Sequence, residues 1–248
     1  MNHPEIEAGR VSRARTSVAT RSVTSRLVTT AFMVILLAGA GAARAQVDED
    51  QLGAWYMYFF NASFDDSRWG LQGDVQYRNW DLGGDLEQLL LRGGVTYRPE
   101  SADVLFTLGY ANIASGEFGD GDSTVGEDRV YQEALLPQRV GSRVRLRHRF
   151  RFEQRWVERQ DFRTRFRYAL FMDIPLNRND LARGAWYLAF YNEIFINGER
   201  DIGGGREVEI FDRNRAYAAL GYSLSHTLRL QGGYMYQYSD AVEKGQRS

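Results

Sequence analysis

The sequence predicts an all-β fold: an antiparallel, up-and-down transmembrane β-barrel with about 10 visible strands, 10–12 if complete. Three observations predict it. Period-two segments, apolar on one side and polar on the other, recur from residue 52 to the C-terminal region. Most have about the 9 to 11 residues that a tilted strand needs to cross a bilayer. Gly, Asp, Asn and Pro separate them, and no amphipathic helix of convincing length lies between, so neighbours are joined by turns and pair antiparallel.

The N-terminus comes first. Scattered arginines (Arg10, Arg13, Arg15, Arg21, Arg26) precede the apolar run "LVTTAFMVILLAGAGA", which ends in "ARAQ", Ala43 to Gln46. A basic region, an apolar region and a small-x-small site together make a secretory signal peptide. Residues 1–45 are therefore expected to be a leader cut after Ala45, and residues 46–248 the outer-membrane barrel domain. The apolar run is shorter than the ~20 residues of a spanning helix, and with no twin-arginine pair the general secretion route is favoured. The chain has no cysteine, which excludes a disulfide framework and a thiolate metal site, and its net charge of −1 does not point to nucleic acid. A negative mean hydropathy argues against helical spans, but not against barrel strands, whose alternating faces average out.

The segments then follow in order at about 52–62, 68–80, 87–98, 103–113, 128–137, 142–157, 161–173, 185–197, 208–224 and 226–239. In the second, Trp69, Leu71, Val75 and Tyr77 oppose Gln72, Asp74, Gln76 and Arg78. In the third, Leu89, Leu91, Val95 and Tyr97 oppose Gln88, Arg92, Thr96 and Arg98. The sixth, "RVRLRHRFRFEQRW", sets Arg143, Arg145, Arg147, Arg149, Arg151, Glu153 and Arg155 against Val144, Leu146, His148, Phe150, Phe152, Gln154 and Trp156. The seventh sets Arg163, Arg165 and Arg167 against Phe162, Phe166, Tyr168, Leu170 and Met172. The tenth sets Arg229, Gln231 and Gln237 against Leu228, Leu230, Tyr234 and Tyr236.

Alternation alone does not say which face is outside, since a soluble barrel has the same pattern inverted. Two arguments favour lipid outside. About ten strands enclose too wide a space for a simple apolar core, whereas a polar lumen holds water and long side chains. Aromatics also gather near segment ends (Trp69, Trp80, Tyr97, Trp156, Trp186, Tyr238), as an interfacial girdle requires.

On that reading the lumen collects Arg78, Arg92, Arg98 and Arg129, the basic row Arg143, Arg145, Arg147, Arg149, Arg151 and Arg155, then Arg163, Arg165, Arg167, Arg213, Arg215 and Arg229. Asp74, Glu133, Glu153 and Glu193 share those faces, and Asp120, Asp122, Glu127 and Asp128 are expected as loop acids. Such a wall is either salt-bridged and water-filled or an electropositive lumen serving as pore or binder for an anionic small molecule. The long connections "DLGGD", "ASGEFGDGDSTVGED" and "NGERDIGGGREVE" all follow even-numbered segments, and that phase predicts a further strand after the polar end "AVEKGQRS".

A lipid-modifying outer-membrane enzyme and a soluble periplasmic ligand-binding barrel are the alternatives. The enzyme would need a Ser–His pair. Only His148, on the apolar row, and His226, in "SLSHT" with Ser223 and Ser225, lie beyond the leader, and neither makes a convincing constellation, so no catalytic residue is assigned. No metal site and no cofactor are expected, because the acidic stretch "GDGDSTVGED" lacks calcium-loop ligand spacing.

"WYMYFF", "EDRVYQEALL", "RVRLRHRFRFEQRW", "RFRYALFMDIPL", "WYLAFYNEIFING", "FDRNRAYAALGYSLS" and "LQGGYMYQY", in that order, resemble the bacterial domain-of-unknown-function family numbered 2490. The resemblance covers essentially all of the chain after the leader. It implies an outer-membrane barrel of a Gram-negative bacterium, with the lipid bilayer, lipopolysaccharide and the barrel-insertion machinery as partners. It carries no established activity and no catalytic residues. Members of the family usually end in another strand with a terminal aromatic, from which this chain departs.

Overall fold

The computed structural model describes residues 28–40, 52–119 and 123–239. The strands are β1 Val28–Ala40, β2 Leu52–Ser63, β3 Trp69–Asn79, β4 Leu86–Tyr97, β5 Leu105–Gly116, β6 Thr124–Val140, β7 Val144–Val157, β8 Arg163–Pro175, β9 Trp186–Asn197, β10 Phe211–Ser223 and β11 Leu228–Ser239. No helix occurs among the described residues. The order around the closed barrel is β1-β11-β10-β9-β8-β7-β6-β5-β4-β3-β2. From β2 to β11 each strand pairs antiparallel with its successor, which is the up-and-down meander that short polar turns dictate.

The tenth expected segment ends at Ser239, and residues 240–248, beyond which the loop phase predicts one more strand, lie outside the described residues. The expected cleavage point after Ala45 also lies outside them. The apolar run of the expected leader is β1, which fills the position between β2 and β11. It pairs antiparallel with β2, Met33 opposite Tyr58, and parallel with β11, Met33 opposite Leu230.

Local chemistry sets the element ends. The β3–β4 turn closes on Asp81, whose carboxylate accepts the backbone N–H of Gly83 (2.9 Å), Gly84 (2.7 Å) and Asp85 (3.0 Å). These donors, Asp85 foremost, hold the carboxyl below the usual carboxylate range. The β6–β7 hairpin turns at Gly141 with φ of 60°, a left-handed conformation open to glycine at little cost. Strand β6 outlasts its neighbour β5, whose pairing stops at Leu105 opposite Leu135, so Pro137 sits where only β7 flanks the strand and no β5 carbonyl awaits its missing N–H.

Loops 80–85, 158–162 and 198–210, with residues 117–119 and 123, lie at one end, the Asn197 rim. The turns after Ser63, Tyr97, Val140, Pro175 and Ser223 lie at the other, the Pro175 rim.

Candidate functional site

Alternation carries one side chain in two to the inside. On β7 these are Arg145, Arg147, Arg149, Arg151, Glu153 and Arg155, and on β8 Arg163, Arg165 and Arg167. The β7–β8 register sets Arg151 opposite Arg167 and Arg155 opposite Arg163. Like charges opposed across a ladder are destabilising without counter-charge, and carboxylates from β7 itself and from other strands supply it.

Glu153, 1% exposed, accepts from Arg165 Nη2 at 2.7 Å and Arg167 Nη1 at 2.6 Å. Glu193 on β9 accepts from Arg149 Nη2 at 2.6 Å and pairs with Arg167 at 2.7 Å. Glu133 on β6 pairs with Arg151 at 2.5 Å and accepts from Gln72 at 3.1 Å. Further round, Arg92 Nη2 donates to Asp74 at 2.9 Å and Arg147 Nη2 to Asp173 at 3.1 Å. Arg213 Nε and Arg165 Nη1 both donate to Asp212 at 3.0 Å. The result is a network in which most carboxylates serve two guanidinium groups. Its net stabilisation is modest, because desolvating so many charges offsets much of their attraction, and removing one member costs most where its partner has no second counter-charge.

Several sequence expectations need correction. Arg143 is not luminal: β7 begins at Val144, so Arg143 falls in the exposed turn and donates to Asn179 Oδ1 at 3.0 Å. Arg98 lies past the end of β4, exposed and paired with Asp103 at 3.0 Å. Glu127 is not a loop acid, because β6 starts earlier than expected. Buried inside, it accepts from Arg129 Nε at 2.6 Å and Arg155 Nε at 2.5 Å. Asp128 is on β6 and faces outward, accepting from Tyr110 Oη at 2.5 Å. Asp120 and Asp122 lie outside the described residues.

Luminal acids missed by strict alternation have a physical reason. A register shift between Phe211 and Arg213 turns Asp212 inward, and another beside Asn79 frees Glu87 to accept Trp55 Nε1 at 2.6 Å. An aromatic–glycine fit also escaped sequence reading. The Tyr131 ring lies across its ladder partner Gly109, where an added Cβ would come within 2.2 Å of the ring, and Arg151 stacks over the same ring with its Cζ 4.3 Å from the centroid.

Neither histidine joins this network. His148 faces outward, bonded to Tyr168 Oη at 2.9 Å and Gln138 Oε1 at 3.0 Å. His226 is exposed in the β10–β11 turn, where the Ser225 hydroxyl accepts the Thr227 and Leu228 amides and Ser223 Oγ donates to the Leu181 carbonyl. Among the described residues no group of three or more His, Cys, Asp or Glu is placed to hold a metal ion.

The ion pairs divide the lumen. Toward the Pro175 rim lies a cavity of about 240 Å³ walled by Phe59, Phe171, Tyr191 and Tyr217 with Arg147 and Asp173. Toward the Asn197 rim lies one of about 210 Å³ bounded by arginines, among them Arg78, Arg155, Arg163, Arg213 and Arg215. Glu153 and Glu193 sit buried between the two. The arrangement can hold anions on bidentate guanidinium donors.

A family model described as "Protein of unknown function (DUF2490)" matches residues 52–247. The chain belongs to that family. The DUF2490 match takes in β2 to β11 and leaves β1 outside. Among curated proteins, an uncharacterized protein of Methylorubrum extorquens, MexAM1_META1p0181, is 28% identical over 218 residues, covering 87% of this chain and 90% of that protein. No solved structure gives a significant match.

Proposed function

We propose that this DUF2490 protein is an outer-membrane barrel of a Gram-negative bacterium whose basic lumen admits small anions. The inverted polarity of the barrel carries this reading. Every strand from β2 to β11 presents exposed large apolar or aromatic side chains outward, for example Tyr58, Leu71, Leu91, Leu108, Leu136, Phe152, Phe166, Ile194, Leu220 and Tyr234, while the inside holds the buried arginines and carboxylates beside an apolar cluster of Trp55, Met57, Tyr187, Tyr217 and Met235. Soluble monomers rarely expose contiguous apolar patches beyond a few hundred Å²; a belt around ten strands suits hydrocarbon. Ring pairs at both rims support the same reading: Trp69 with Tyr97 (4.8 Å between centroids) and Trp186 with Tyr222 (4.7 Å) at one, Trp156 with Phe162 (5.3 Å) at the other. In this reading the leader is removed near Ala45, the insertion machinery assembles the rest, and the bilayer and lipopolysaccharide are the surroundings. Arginines outnumber carboxylates on the inner face, which favours anions over cations as solutes.

Isolated outer membranes, run on gels with and without boiling, test the first part. A heat-dependent shift of the band is expected; absence from that fraction, or no shift, would overturn it. Planar-bilayer recordings test the second. Anion preference that weakens when Arg145, Arg147 and Arg165 are changed to glutamine is expected, and cation selectivity would end the anion reading.

A further inference from the structure

The chamber at the Asn197 rim differs from the rest of the lumen in how its arginines are satisfied. Arg129, Arg155 and Arg163 stand side by side across β6, β7 and β8, each opposite the next in the ladder. Glu127 serves the first two and has no further bond to Arg163. Arg163 is only 8% exposed, makes no ion pair with a carboxylate among the described residues, and its Nε has no hydrogen-bond partner there. Across the chamber Arg78 and Arg215 converge on one side of the barrel, their Cζ atoms 3.9 and 5.0 Å from the Trp55 ring centroid. Their polar partners are neutral: Arg78 donates to Gln76 at 2.6 Å and Gln88 at 2.9 Å, and Arg215 Nε to Gln237 at 2.6 Å. Three buried guanidinium groups from three strands thus border one cavity of about 210 Å³ without a carboxylate of their own.

Buried unpaired charge is costly, and a bound counter-ion is the direct way to relieve it. The ligand must be compact, since the cavity measures only about 210 Å³. It must also lack an acyl or aromatic body, because nine arginines with Gln88, Ser115 and Glu127 dominate the lining over Leu90, Val157 and Phe195, unlike the aromatic chamber at the opposite rim. Donors arriving from separate walls suit an acceptor with oxygens on all sides better than a flat carboxylate.

We propose that this chamber is a binding site for a free tetrahedral oxyanion of the phosphate class, held by Arg163, Arg78 and Arg215. This rests on the reading of the lumen as an anion compartment and names its ligand. The fold of the chain in detergent is first established by the heat-dependent gel shift, so that a failure of the barrel reading is seen separately. Sodium phosphate is then titrated calorimetrically into the folded barrel against sodium chloride of equal ionic strength. Saturable binding of phosphate is expected, weakened at least tenfold in Arg163→Gln and in Arg215→Gln, and unchanged in Arg98→Gln, which alters only an exposed rim pair. Where a glutamine variant does not give the gel shift, Arg163→Lys, which keeps the charge but not the fork, replaces it and is expected to weaken binding as well. A folded wild-type barrel that gives no heat with phosphate would overturn the proposal, as would equal binding by all variants. Binding of micellar lysophosphatidic acid without binding of inorganic phosphate would also overturn it, since it would place the site on a lipid headgroup.

Discussion

Glu153 shows what a single residue contributes to this barrel. It is 1% exposed and holds Arg165 and Arg167 by short charge-assisted bonds, with Arg129 and Arg151 each 3.7 Å away. Replacing it with glutamine keeps the shape and removes the charge. Breaking a buried pair costs ~3–5 kcal/mol, and the low end is expected here because Arg165 retains Asp212 and Arg167 retains Glu193. The exposed Arg98–Asp103 pair should contribute about 0–1 kcal/mol, so Asp103→Asn is the control. The urea midpoint of the heat-modifiable band measures both; equal midpoints would mean that lumen water screens the network. The sequence shows that Glu153 shares a face with arginines, but not which ones it holds. Its partners on β8 are set by a ladder register, and the Arg149–Glu193 bond spans 44 residues, a separation over which periodicity carries no information.

At the scale of the strand, position parity decides everything, and β7 tests it with adjacent residues. Phe150 faces outward, 41% exposed, its ring 5.0 Å from Tyr168 on β8. Arg149 faces inward onto Glu193, which Arg167 also holds. Phe150→Arg is expected to abolish membrane assembly, since an outward arginine costs ~2–4 kcal/mol at the bilayer midplane, while Arg149→Gln should assemble normally. Outer-membrane yield of the two variants checks it, and the reverse ranking would refute the face assignment. This parity was legible because a one-residue slip would move every side chain of the strand to the wrong face. It failed where the backbone breaks step: at the Phe211–Arg213 and Asn79 irregularities, which turn Asp212 and Glu87 inward, and at strand ends, where Arg143 proved to be turn and Glu127 strand. A bulge leaves no mark in the period of the surrounding residues, and an end depends on how far the neighbouring strand extends.

For the whole molecule, the question is how the barrel closes. With β1 in place the circle contains one parallel seam, β1 against β11, in an otherwise antiparallel sheet. Single-chain outer-membrane barrels have an even number of strands, all antiparallel. The ten strands β2 to β11 satisfy that by themselves, because β2 and β11 run in opposite directions, and the family match takes in all ten and leaves β1 outside. Removal of the leader near Ala45, as proposed, would take Val28–Ala40 away and allow β2 to meet β11 directly. The chain has no cysteine, so introduced pairs report this cleanly. Tyr58 and Leu230 both point outward, 43% and 38% exposed, and lie level on either side of Met33 of β1, so direct pairing of β2 with β11 would bring them within disulfide range. A strand between them holds the two backbones about 9–10 Å apart, beyond the roughly 7 Å that a disulfide tolerates. In a chain beginning at Gln46, Tyr58→Cys with Leu230→Cys, or with the neighbouring outward positions Leu228→Cys or Gly232→Cys, should give a crosslinked band under oxidation. In a chain whose leader is retained by Ala43→Leu and Ala45→Leu, none of the three pairs should crosslink. If the shorter chain folds, shifts on heating and yet crosslinks at none of them, β2 and β11 do not form the seam and the ten-strand closure is wrong.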